Sequence, residues 1–225
     1  CEFFDGIYRI EKDAAEILSK LEENALCLND LEELDVPSAE VLAKYKGHAL
    51  KIGLKEINEA TAHQLVQSKS DNLCIGFIRL DESIAEILCK HKGTLVFTRL
   101  RQISDSVSKI LAKKQGTIIF EKLTKISDQF AEEFSKSKLE GLGLTSLQQL
   151  SEKSAKLLWE YKGNLLITDL KFREGKLKAE MKDISYTWQP SILVDNVIYH
   201  LGLEQNTYVK SFPKALENYI FKSIA

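Results

Sequence analysis

The chain has 225 residues, 44% of them hydrophobic and 28% charged, with a formal net charge of −2. That is the composition of an ordinary globular chain long enough to hold a continuous core. It offers no bulk attraction to nucleic acid or membrane, and no apolar run approaches the roughly 18 residues that a membrane span needs.

Read in chain order, an apolar residue closes each strand-like segment: Ile10, Leu34, Ile57, Leu80, Ile103, Ile126 and Leu150. The steps between them are 24, 23, 23, 23, 23 and 24 residues. A fixed period of this length signals stacked supersecondary units, each burying its apolar side against the next. Each full unit opens with an alternating pair and continues with two spaced apolar residues, as in Leu26, Leu28, Leu31, Leu34 or Leu95, Phe97, Leu100, Ile103. Leu142, Leu144, Leu147 and Leu150 repeat the pattern. Alternation with period two predicts a short strand with those side chains inward.

A helix is predicted after each strand. The residue following the closing apolar is Asp35, Asn58, Asp81, Ser104, Ser127 or Ser151. Each carries a side-chain oxygen that can accept an orphan N–H at a helix start. Five residues past the closing apolar stands a small residue (Ala15, Ala39, Ala62, Ala85, Ser108, Ala131, Ala155). Eight past stands a large one (Leu18, Leu42, Leu65, Leu88, Leu111, Phe134, Leu158). Residues three apart share a helix face, so this face should lie on the sheet. Gly47, Gly93, Gly116 and Gly163 are expected to end the helices in left-handed geometry.

This plan resembles the leucine-rich repeats over roughly residues 3–170, as seven units plus the strand of an eighth. The asparagine which that family uses to bond the turn after its strand is replaced by Leu31, Leu100, Leu123 and Leu147. The chain therefore resembles a variant of the kind met in bacterial proteins. The resemblance implies an α/β fold: a right-handed solenoid with a parallel sheet on one face, helices on the other, and a role in binding other molecules.

Past residue 170 the repeat stops. We divide the chain into a repeat region, 1–170, and a C-terminal cap or small α+β extension, 171–225. A strand or hairpin is expected around 176–188, with helices near 191–203 and 213–224. The last unit of a repeat array must be covered, because it would otherwise expose its core.

Four cysteines are spread along the chain: Cys1, Cys27, Cys74 and Cys89. Cys27 and Cys74 share a strand column two units apart, or about 10 Å at the usual strand spacing. A disulfide needs Cα atoms within about 7 Å, so free thiols are expected. Reduced thiols favour the cytoplasm. An N-terminal cysteine is also what lipoprotein processing leaves, so a lipid-anchored envelope protein stays open. The chain begins without Met, which reads as a processed or truncated terminus.

No phosphate-binding loop, dinucleotide fingerprint, nucleophile elbow or paired-cysteine motif occurs. The histidines, His48, His63, His91 and His200, are scattered, and Cys74, Cys89 and His91 fit no zinc spacing. Lysines such as Lys44, Lys46, Lys90, Lys92 and Lys113 gather at the helix ends, and acids such as Glu59, Glu82 and Asp105 at the starts. That distribution complements the helix dipole. It is read as such rather than as a nucleic-acid site, since only Tyr45 and Tyr161 add aromatic character there.

The strand face opposite the helices is the candidate site. Period two assigns to it the triplets Ala25, Cys27, Asn29 through Asn164, Leu166, Thr168, and only Lys51 and Glu121 among its residues are charged. Parallel sheets are usually covered on both faces, and an exposed apolar stripe marks an interface. The reading is a non-catalytic protein-binding scaffold without cofactor or metal, bound to a protein partner or to itself through Val96, Ile119, Leu166, Thr98 and Glu121. The alternative is a structural piece of a larger cell-surface or envelope protein.

Overall fold

The computed structural model describes residues 2–4, 6–167, 191–194, 197–200 and 208–210. The chain opens with two short strands, β1 (Glu2–Phe3) and β2 (Arg9–Ile10), and helix α1 (Lys12–Leu18). Then come β3 (Ala25–Leu28), β4 (Glu33–Leu34) and α2 (Val36–Leu42). Strand and helix alternate strictly after that: β5 (Ala49–Ile52), α3 (Glu59–Leu65), β6 (Asn72–Ile75), α4 (Glu82–Leu88), β7 (Thr94–Phe97), α5 (Asp105–Leu111), β8 (Thr117–Phe120), α6 (Asp128–Ser135), β9 (Gly141–Leu144), α7 (Glu152–Trp159) and β10 (Asn164–Ile167).

The strands β3, β5, β6, β7, β8, β9 and β10 pair in that order, all parallel, and β1 joins parallel to β3 at one edge. Successive helices pack on one another in the same order. The core lies between the two layers. Leu28, Phe97, Phe120 and Leu144 from the strands are fully enclosed, as are Leu42, Leu111, Phe134 and Leu158 from the helices. Phe97 stacks on Phe120 with ring centroids 5.4 Å apart, and Phe130 on Phe134 at 4.2 Å. The small residues Ala15, Ala39, Ala62, Ala85, Ser108 and Ala131 have no exposed surface. They let each helix backbone approach the sheet closely enough for the large residue three positions on to fill the core.

The helix starts follow the capping chemistry. Asp35, Asn58, Asp81, Ser104, Ser127 and Ser151 each accept an N–H from the residue three ahead, at 2.8–3.2 Å. Some caps also tie one unit to the next. Ser127 Oγ donates to Asp105 at 2.5 Å, and both Ser151 and Ser154 donate to Asp128. Those hydroxyls hold the Asp128 carboxyl below the usual carboxylate range.

The helix ends differ from expectation. Each helix closes on a right-handed residue, such as Ala43 or Val66, not on a glycine. Of the four glycines expected to be left-handed, Gly116 has positive φ and Gly47, Gly93 and Gly163 do not. Their reason is room. Tyr45 and Tyr161 turn under the strand start and donate their hydroxyls to the carbonyls of Glu23 (2.7 Å) and Leu139 (2.8 Å). A Cβ on Gly47 or Gly163 would sit 2.2 or 2.3 Å from that same hydroxyl. The same column holds His91 and Lys114. Lys114 Nζ donates to the Gly93 carbonyl at 2.8 Å and to the Gln115 carbonyl at 2.5 Å.

On the opposite edge, where the asparagine column is missing, Leu31, Leu100, Leu123 and Leu147 are fully buried. Carbonyls there find scattered partners. The Arg99 guanidinium donates to Asn29 at 2.8 Å and to Gly53 at 3.3 Å, and Ser146 Oγ donates to Glu121 at 2.7 Å.

Beyond the repeats, the helix expected near 191–203 is replaced by two strands. These are β11 (Ser191–Val194) and β12 (Val197–His200), paired antiparallel. Its apolar run, Ile192, Leu193, Val194, Val197 and Ile198, is mostly β-branched, and such residues favour the pleated surface of a strand. A further strand, β13 (Tyr208–Lys210), pairs antiparallel with β10 and extends the sheet by one. The elements expected around 176–188 and 213–224 lie outside the described residues.

Candidate functional site

The strand register sets the open face. Cys74 lies beside Val96, Val96 beside Ile119, Ile119 beside Gly143, and Gly143 beside Leu166. Val96 and Ile119 are therefore neighbours, and Leu166 stands one glycine away. The missing side chain of Gly143 leaves space that Ile119 uses: its Cγ2 is 3.0 Å from where a Gly143 Cβ would stand. Beyond Leu166 the column continues to Val209 of β13.

Burial along this face is uneven. Val96 is 6% exposed and Cys74 likewise 6%, although both point away from the helices. Ile119, Leu166, Thr98 and Glu121 are half-buried, and Asn164 is exposed. Thr168 lies outside the described residues. Near the first edge, Ala25, Cys27 and Ala49 form a small buried cluster of their own, separate from the core.

The two charges on the face act on each other. Burial pushes the Glu121 carboxyl above its ordinary range, and the Lys51 ammonium partly opposes that. Burial also pushes the Cys74 thiol up to about 11, with Lys51 and Glu121 acting on it in opposite senses. A thiol raised that far is protonated at neutral pH and is a poor nucleophile.

Cysteine pairing departs from expectation at one position. Cys74 and Cys89 are free, but Cys27 is disulfide-bonded. Two strand spacings keep Cys27 out of reach of Cys74 but leave it free to bond elsewhere. The case for a reducing compartment loses that support.

Elsewhere, His48 is engaged from both sides: Nδ1 lies 2.9 Å from Asp71 and Nε2 2.8 Å from the Asn72 amide. Both ring nitrogens are occupied, so the pair offers no free lone pair to a substrate. A shallow pocket at β2 and β4 is lined by Arg9, Ile10, Glu33, Leu34 and Asp35. Arg9 and Glu33 face each other there at 3.8 Å, and the Asp35 carboxylate is engaged as a helix cap. Among the described residues no group of three or more His, Cys, Asp or Glu converges as a metal site, and no helix is long and apolar enough to cross a membrane.

Sequence reading missed the buried His91. It is 3% exposed, its Nδ1 lies 3.3 Å from the Val66 carbonyl, and its Nε2 has no partner among the described residues. The signal that could have found it is its position in the column of Tyr45 and Tyr161.

The class these observations define is a repeat-like parallel α/β protein, with seven parallel strands alternating with helices. No family model, no curated protein and no solved structure matches the chain.

Proposed function

We propose that the chain is a non-catalytic protein-binding scaffold of the leucine-rich-repeat-like solenoid kind, and that it binds through the open strand face. The observation that carries this reading is the near absence of charge across seven stacked strands, where only Lys51 and Glu121 are charged. A sheet face left to water ordinarily carries more, and a contiguous small or apolar face is what an interface uses. Ile119 is the position to test. It is half-buried and points away from the core, so Ile119→Lys should leave folding nearly unchanged. It should weaken association, because a charge buried without a partner is costly. Light scattering of the purified chain and affinity capture from its source, wild type beside Ile119→Lys, provide the readout. A variant that keeps the same oligomeric state and every partner removes this face from consideration.

A second reading, a structural piece of an envelope or cell-surface protein, is favoured by the bonded state of Cys27, since disulfides persist in oxidising compartments. Trapping thiols during isolation from the native source tests it. Alkylation of two of the four cysteines supports this reading, and alkylation of all four rejects it.

A further inference from the structure

Turns lead from each helix back to the next strand, and their charge is uneven: residues 19–24 hold Glu22 and Glu23 against Lys20, and residues 160–163 hold Glu160 against Lys162. The five turns between them, residues 43–48, 66–71, 89–93, 112–116 and 136–140, hold eight exposed lysines against two carboxylates, Asp71 and Glu140. Asp71 is engaged with His48. Two of the lysines pair within their own helices, Lys44 with Glu40 and Lys136 with Glu132. The other six, Lys46, Lys69, Lys90, Lys92, Lys113 and Lys138, form no ion pair among the described residues. In a chain whose net charge is −2, this is segregation of charge to one edge.

The helix dipole accounts for only part of it. Its influence falls off within the last turn, and the last turns of α2, α4 and α6 carry no basic residue. Apart from Lys136, which caps α6, these lysines lie past the residue that closes their helix. The backbone of these turns is cross-linked from unit to unit, with Lys69 N–H donating to Ala43 at 3.0 Å and Glu140 N–H to Gly116 at 2.8 Å. Successive lysines are thus carried on hydrogen-bonded turns that follow the strands, whose usual spacing is about 4.8 Å.

What the strip lacks narrows its partner. Tyr45, the tyrosine on these turns, is buried and its hydroxyl is bonded to the Glu23 carbonyl, so it cannot stack on a base. Ammonium point charges in a row, with no exposed tyrosine beside them, suit carboxylates spaced along an extended chain. We propose that these five turns are a docking strip for an acidic, Asp- and Glu-rich polypeptide segment. The strip lies on a different surface from the strand face and does not depend on it.

The probe is fluorescein-labelled poly-L-glutamate, titrated by anisotropy with the full chain at low and at raised ionic strength. Binding should weaken as salt rises. The triple variant Lys90→Glu, Lys92→Glu, Lys113→Glu should bind at least about tenfold more weakly, since a stripe of one sign concentrates counter-charge by that order. An equal charge change on the opposite edge, Arg101→Glu, Lys122→Glu, Lys125→Glu, should leave binding nearly intact, as should Ile119→Lys. A triple Lys→Arg variant at 90, 92 and 113 should retain binding, which keeps the test decisive if the Glu variant melts early. The proposal is overturned by no binding at low salt, by equal loss in the two Glu triples, or by tighter binding of a mixed-sequence single-stranded oligonucleotide than of polyglutamate.

Discussion

The two faces of the same sheet obey different rules. Toward the helices, every strand presents large apolar residues, from Leu26 and Leu28 to Leu142 and Leu144, and all are enclosed. Away from the helices, the same strands present alanine, cysteine, threonine, glycine, asparagine, the apolar Val96, Ile119 and Leu166, and two charges, Lys51 and Glu121. Packing explains the first set completely: a close-packed interior tolerates little change in volume. It does not demand the second. A residue on the open face is free to be charged without cost to the core, and seven strands in a row mostly decline that freedom. The difference separates what holds the fold from what the fold presents.

The largest effect should come from removing the C-terminal segment after the repeats. A 1–170 fragment loses β13, which pairs with β10 from Leu165 to Ile167. It should aggregate or melt over a broad range, because an array of repeats needs its end covered. A soluble fragment with the same sharp melt would show instead that 171–225 stands apart.

Next is the inner face. Leu111 has no exposed surface, and Leu111→Ala should cost roughly 2–5 kcal/mol as a large-to-small core change. Urea denaturation measures it. Ile119→Ala, on the open face, should cost clearly less, and equal costs would erase the comparison.

A pH effect of intermediate size is expected from His91. Burial first, and then Lys114 on the neighbouring unit, hold its imidazole below the ordinary value near 6.5, and the Val66 carbonyl opposes them only in part. The unfolded chain therefore binds a proton that the folded chain resists. Stability should be full above pH about 6.5 and fall as the solution is acidified below it. His91→Leu should flatten that dependence in chemical-melt series run from neutral to mildly acidic pH. An unchanged profile in the variant would assign the acid sensitivity to other groups.

The smallest effect belongs to Glu121. Burial raises its folded-state pKa, so this group favours folding below its unfolded pKa and loses that advantage as pH rises through the folded one. At neutral pH the charged form is a burden, and Glu121→Gln should raise the melting temperature slightly. A drop in melting temperature would mean that the attraction of Lys51 outweighs desolvation.

Much of this was readable in the residues. Strand and helix positions, the capping side chains and the inward faces come from local chemistry: period-two alternation, an oxygen at the helix start, a small residue where backbones must approach. These depend on neighbours within a few positions, and the 23-residue period repeats them until they are unmistakable. The tertiary structure decided what depends on neighbours one unit away. Gly47 and Gly163 read as left-handed caps, yet they are glycine because a tyrosine hydroxyl occupies the place of their Cβ. Cys27 read as a free thiol because only its distance to Cys74 could be judged from the repeat. The stretch near 191–203 reads as a helix because a short apolar run carries no periodicity that separates helix from strand, and the pairing of Ser191–Val194 with Val197–His200 settles it as strand. The open face was located by alternation alone, but that Val96 is already buried there while Ile119 is not depends on the surfaces packed around each. Local chemistry writes the repeat; the contacts between units determine which of its side chains remain within reach of anything else.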